Sequence, residues 1–190
     1  MASKTKTIKS DITFQQYTTA LKARGFKRIG EGAFASVYLH PGKRRVYKVG
    51  KLTDFSSGGN WAYLAFLKVV LRSKNNPWFP KIYSIKKFKT NRKDKMFSRD
   101  CDPFFVVSME RLEKIKGPHE KSAMLEGLVE YHKVFASIFK KSIVKKKLKQ
   151  FTGAMKVLYD LEEQGHSLDI HNSNIMLRKC GQIVITDPVC

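Results

Sequence analysis

Apolar positions recur at helical spacing in four stretches of this chain and form short continuous or alternating runs in much of the rest. Phe14, Tyr17 and Leu21 make the first stripe, so residues 11–24 are predicted to form an amphipathic helix capped by Asp11 and stopped by Gly25. Residues 26–29 read as a strand that runs into a glycine-bearing bend, Gly30-Glu31-Gly32. After Val37-Tyr38-Leu39, the turn signal His40-Pro41-Gly42 leads into a strand over 45–49. This region is expected to be an antiparallel meander. Trp61, Leu64, Phe66, Leu67, Val70 and Leu71 give residues 58–72 a broad apolar helical face, broken by Asn75-Asn76-Pro77.

Further strands are expected at 81–85 and, as a buried apolar run, at 104–109, with a basic polar loop from 86 to 103 between them. A linker near 110–118 contains Gly117-Pro118. Helices follow over 119–140 and 144–164, the second ended by Gly165. Strands at 175–177 and 183–185 flank a turn at 179–181. Strands first and helices after point to an α+β fold, a single domain over 1–190 with a β-rich lobe (11–110) and a reduced helical lobe (119–190).

Composition narrows the function classes. With 42% hydrophobic residues the chain can build a core, and no run of eighteen apolar residues exists to span a membrane. The polar, basic start lacks a secretory pattern, and Cys101, Cys180 and Cys190 are odd in number and scattered, which suits a reducing cytosol. Charge is the largest departure from the ordinary: 37 Lys and Arg against 16 Asp and Glu, a net +21. Such a chain attracts polyanions. One cluster spans Lys86, Lys87, Lys89, Arg92, Lys93, Lys95 and Arg99, and another Lys140, Lys141, Lys145, Lys146, Lys147 and Lys149. Neither is interleaved with aromatics as a single-strand stacking platform would be, so nucleic acid is expected as a side partner, not the primary one.

The candidate chemistry is concentrated at the end. Asp169 and Asn174 stand five residues apart in a polar loop, and Asp187 follows a hairpin thirteen residues later. Phosphoryl transfer from ATP needs a carboxylate to orient and deprotonate an acceptor hydroxyl, and oxygen ligands for Mg²⁺. The succession His166, Asp169, Asn174, strand, glycine turn, strand, Asp187 has the spacing of a kinase catalytic loop and metal loop. Taken singly, each of these residues is an ordinary turn former. Upstream, Gly30-x-Gly32 and Val37 suit a hairpin that covers nucleotide phosphates, and Lys48 follows at the distance of a phosphate-holding lysine. His166 is read as a buttress for the loop backbone, and a zinc pair with His171 is not expected at that spacing.

The segments 167–176 and 185–189, with 29–38, Tyr47-Lys48-Val49-Gly50 and 62–66, closely resemble the early protein kinases of T7-type bacteriophages over about residues 17–189. The resemblance implies a protein-kinase-like fold and a serine/threonine kinase that uses ATP and Mg²⁺. It implies Asp169 as catalytic base, Asn174 and Asp187 as metal ligands, and Gly30, Gly32, Val37 and Lys48 around the nucleotide. Residues Met109, Glu110 and Arg111 are then the hinge beside adenine. It also implies host bacterial proteins as substrates, among them transcription and RNA-processing machinery, in the cytoplasm of the infected host, with host transcription shut off. Three positions depart from the pattern. Residues 58–73 contain no acid to pair with Lys48, which leaves Asp54 or a distant acid; Ser167 stands where regulated kinases carry arginine; and little chain follows Asp187. The rival expectations are a binding module that engages a host complex through its basic surface, and a small-molecule phosphotransferase.

Overall fold

The computed structural model describes residues 6–9, 12–32, 35–52, 59–73, 76–89, 103–115, 142–170 and 174–189. It is α+β, with two sheets and three helices among these residues. The chain divides into two compact units, one of Met1–Arg72 with Lys81–Arg111 and one of Ser73–Pro80 with Leu112–Cys190. No helix among the described residues is long and apolar enough to cross a membrane.

The first unit is a six-stranded sheet flanked by α1 (Phe14–Ala23) and α2 (Gly59–Arg72). Its strands are β1 (Lys6–Lys9), β2 (Lys27–Glu31), β3 (Ala35–Leu39), β4 (Arg45–Lys51), β5 (Ile82–Lys89) and β6 (Phe104–Glu110), in the order β1-β5-β6-β4-β3-β2. All pairs are antiparallel except β1 with β5. The expected meander is β2–β3–β4, and the continuous apolar run is β6, in which Phe104 to Met109 are all buried. A strand buried on both faces loses the two-residue alternation of a half-solvated one.

One face of the sheet carries an aromatic core. Phe88 stacks on Phe104 with ring centroids 4.5 Å apart and planes 5° from parallel, and Tyr17 of α1 leans on both. Leu21, Tyr38, Val49 and Val106 complete its buried centre. Burying one such phenylalanine stabilises by roughly 1.5–3 kcal/mol. The helix that covers this face begins at a Thr13 cap, whose hydroxyl accepts from Gln16 N while the Gln16 side chain accepts from Thr13 N. This reciprocal box replaces the Asp11 cap expected from sequence; Asp11 lies outside the described residues.

Three stretches of strand were not expected, among them β7 (Glu113–Lys114) within the predicted linker. The basic stretch Lys86–Lys89, predicted as loop, continues β5, because Phe88 is a core residue and the backbone pairs on both sides, with β1 and β6. The polar start supplies β1, whose Ile8 packs against the same core. The predicted loop beyond Lys89, the helix over 119–140 and the Lys140–Lys141 end of the second basic cluster fall outside the described residues.

The second unit holds α3 (Ser142–Glu163) and a small sheet of β7 (Glu113–Lys114), β8 (Ile175–Leu177) and β9 (Ile183–Ile185), in that order and antiparallel. Phe151, Ala154, Leu158 and Leu161 form the buried stripe of α3. The helix closes as predicted at Gly165, with φ +87°: Gly165 N–H donates to Glu162 O and His166 N–H to Leu161 O. Residues 76–79 are laced into this unit. Trp78 packs on Phe151, its carbonyl accepts from Ile185 N–H, and the Arg178 guanidinium donates to the Pro77 and Phe79 carbonyls.

Candidate functional site

The sequence-derived residues fall into two groups, one in each unit. In the first unit, strand register does the positioning. Gly30 pairs with Val37, Val37 with Lys48, and Lys48 with Val107, so these residues form one cross-strand row. Directly opposed residues share a face of a sheet. Val46 opposes Met109, and Val46 lies two residues from Lys48, so Met109 shares that face as well. It is the opposite face from the aromatic core, since Tyr38 and Val49 alternate with Val37 and Lys48. Gly30, Val37 and Lys48 thus fall in one row across three strands, with Met109 on the same face of a fourth.

Gly32 closes the bend, its N–H donating to Ala35 O at 2.8 Å. Neither Gly30 nor Gly32 has a positive φ, and a Cβ on Gly30 would make only ordinary contact with Val37 at 3.7 Å. Turn geometry therefore does not require glycine at these positions; bare backbone open to a neighbour is what they offer. Of the expected hinge, Met109 is buried, Glu110 half-buried and Arg111 exposed. The Glu110 N–H donates to Lys81 O at 3.0 Å, and its carboxylate accepts from Lys81 N at 2.8 Å. That amide is engaged at the end of the β5–β6 pair.

Lys48 is where sequence reasoning left a gap. Its Nζ lies 3.6 Å from the centroid of the Tyr63 ring, on α2. Tyr63 is buried and in ring contact with Phe66 and Phe105. Asp54 lies outside the described residues.

In the second unit, hydrogen bonds do the positioning. The Asn174 side-chain amide donates to the Asp169 carbonyl at 2.7 Å and to Asp169 Oδ2 at 3.1 Å. The Asn174 carbonyl in turn accepts from Thr186 N at 2.8 Å and Thr186 Oγ1 at 2.9 Å. Pro188 O accepts from Asp169 N–H at 2.6 Å, and Leu168 bridges to Val189. These contacts close a ring, Asp169–Asn174–Thr186–Asp187–Pro188, that draws two loops into one constellation. All three predicted polar residues, Asp169, Asn174 and Asp187, are half-buried in it. Thr186, which sequence reasoning passed over, is the connecting residue. A hydroxyl and an amide converging on one carbonyl leave no pattern in a sequence.

The orientation of Asn174 bears on metal binding. Both of its amide donations point to Asp169, so Oδ1 is the atom left to act as a ligand. Magnesium is commonly held by one or two carboxylates together with phosphate oxygens. Among the described residues no three His, Cys, Asp or Glu side chains converge on a metal position. A carboxylate with an adjacent amide oxygen fits a Mg²⁺ that arrives with a nucleotide.

No curated protein matches this chain. A family model described as bacteriophage T7 protein kinase 0.7 matches it over residues 1–190. With the match spanning every residue, the chain belongs to the bacteriophage T7 protein kinase 0.7 family.

Proposed function

We propose that this chain is an ATP-dependent serine/threonine protein kinase of protein-kinase-like fold that modifies host proteins during phage infection. The ring of hydrogen bonds joining Asp169, Asn174 and Thr186 supports this reading, because it draws together, from two separate loops, the residues proposed as base and metal ligands. Asp169 accepts the proton of a substrate serine or threonine hydroxyl. The hydroxyl oxygen bonds to the γ-phosphorus as the bond to the β,γ-bridging oxygen breaks, and ADP departs. Asn174 Oδ1 and the Asp187 carboxylate hold Mg²⁺, which supplies charge neutralisation at the phosphates.

In the first unit, Lys48 contacts the α- and β-phosphates, and the bare backbone at Gly30 and Gly32 covers them. Val37 and Met109, on the Lys48 face, line the adenine side. Backbone groups around Met109–Arg111 other than the engaged Glu110 amide serve as hinge contacts. The net charge of +21 supports acidic surfaces of host proteins as targets, and a link to host transcription shutoff is part of the same proposal.

The test is to incubate the protein with γ-labelled ATP, Mg²⁺ and a bacterial lysate beside Asp169→Ala and Asp187→Ala. Labelled phosphoserine and phosphothreonine are expected in protein bands, falling by about 10²-fold or more in both variants. Nucleotide binding with no transfer would replace this reading with a binding module. Label confined to small molecules would replace it with a small-molecule phosphotransferase.

A further inference from the structure

In a kinase of the usual kind, the phosphate-holding lysine is aimed by a glutamate on the neighbouring helix. Here α2 carries no acidic residue along Gly59–Arg72. What it presents to Lys48 is a ring. Lys48 Nζ stands 3.6 Å from the Tyr63 centroid, well inside the range in which an ammonium is attracted by the negative face of an aromatic.

The surroundings make this a built contact. Tyr63 is only 2% exposed, and its ring lies 5.8 Å from that of Phe105 and 6.1 Å from that of Phe66. Phe105 can sit there because its strand neighbour is Gly50. A Cβ on Gly50 would come within 2.5 Å of the Phe105 ring, so the missing side chain is the space the ring occupies. Gly50 lies two residues beyond Lys48 on β4 and therefore on the same face. The helix is anchored to the same strand. Asn60, itself buried, donates from Nδ2 to the Lys51 carbonyl at 2.6 Å, and Tyr63 follows three residues later on the same side of α2. Gly50, Phe105, Asn60 and the helix thus converge to hold one ring face beneath one ammonium.

We infer that Tyr63 is a positioning residue for Lys48, supplying through its ring face the electrostatic hold that an acid on this helix ordinarily supplies. The inference rests on the proposed role of Lys48 at the nucleotide phosphates. The two holds differ chemically. A carboxylate takes one or two ammonium hydrogens and offsets the charge, whereas a ring face attracts the ammonium without neutralising it. Tyr63 would therefore act on nucleotide binding and phosphate alignment.

The test grades the electrostatics of the ring without changing its shape. In the full chain, Tyr63 is replaced by phenylalanine, then by mono-, di- and trifluorophenylalanine, and separately by leucine. ATP affinity by calorimetry, KM and kcat for transfer, and the thermal midpoint are measured for each, with Lys48→Met as reference. Tyr63→Phe, which keeps the ring face, is expected within about threefold of the parent in ATP affinity. Successive fluorines, which drain the face, are expected to weaken affinity stepwise to about tenfold at the trifluoro ring, with the thermal midpoint unmoved. Tyr63→Leu is expected to lose at least as much. A flat fluorine series beside an impaired Lys48→Met would overturn the Tyr63 inference and leave the kinase reading standing. A Tyr63→Phe loss as large as that of Tyr63→Leu would assign the role to the hydroxyl and also overturn it. Full ATP affinity and transfer in Lys48→Met would remove both readings of the first unit.

Discussion

The two units hold their candidate residues by different physics. In the first, Gly30, Val37, Lys48 and Met109 sit on β-strands whose register and burial dictate which way each side chain faces. In the second, Asp169, Asn174 and Asp187 lie on loops, and a ring of hydrogen bonds through Thr186 and Pro188 does the work of a sheet. The first arrangement is set by apolar packing spread over many residues. The second is set by a few polar contacts, each a small term. Substitutions should therefore act on the first unit through its stability and on the second through local geometry.

The largest expected effect tests the packed side. Phe104→Ala removes a ring that stacks on Phe88 and touches Tyr17 and Phe14, and should cost about 3–5 kcal/mol. By hydrogen exchange, amides of β4 and β6 should lose protection while those of Ile185 and Thr186 keep theirs. Simultaneous loss in both places would mean that the units unfold as one body, and the contrast drawn here would fail. Next comes Thr186→Val, nearly isosteric, which deletes the hydroxyl donation to the Asn174 carbonyl. Its expected cost is about 1 kcal/mol, with a several-fold drop in phosphoryl transfer and no change in the protection of β6. Thr186→Ser should restore transfer. If valine transfers phosphate as well as threonine, the ring of hydrogen bonds is not what aligns the loops.

The smallest effect is alkaline. Burial, then the nearby Tyr47, raises the Tyr17 phenol above its ordinary value, with Arg24 opposing. A raised phenol pKa means that the folded state keeps its proton when the unfolded chain has lost it. This contribution is complete below about pH 10 and fades as pH climbs through the folded value. Thermal midpoints above pH 10 should therefore fall more steeply for the parent than for Tyr17→Phe. Equal slopes would show that the phenol feels the interior less than its burial suggests.

The same contrast explains what could be read in advance. Among the described residues, strands β2, β3, β4, β6, β8 and β9 and the three helices announced themselves through apolar period, glycine stops or turn residues. The strands that escaped, β1, β7 and the far half of β5, are short and rich in lysine, and owe their conformation to a partner strand. Asp169, Asn174 and Asp187, whose two loops the hydrogen bonds draw together, were singled out because phosphate chemistry restricts residue type and spacing together. Thr186 and Tyr63 were not, since a threonine beside an aspartate and a tyrosine within an apolar helix look like filler until their contacts are formed. The Asp11 cap failed for a smaller reason: the Thr13-x-x-Gln16 box two residues later was the stronger signal.

One connection has consequences for anyone dividing this protein. Residues Ser73–Pro80 belong to the second unit although β5 and β6 of the first unit come after them. No single cut in the chain can release either unit whole. A gene fragment ending after Arg111 would carry an orphan strap whose Pro77, Trp78 and Phe79 carbonyls have lost the Arg178 and Ile185 donors. The complementary fragment would lack the indole that packs on Phe151. Recombination, domain grafting and split-reporter designs would have to exchange the strap together with the β8–β9 hairpin, so the piece to be moved is discontinuous in the chain.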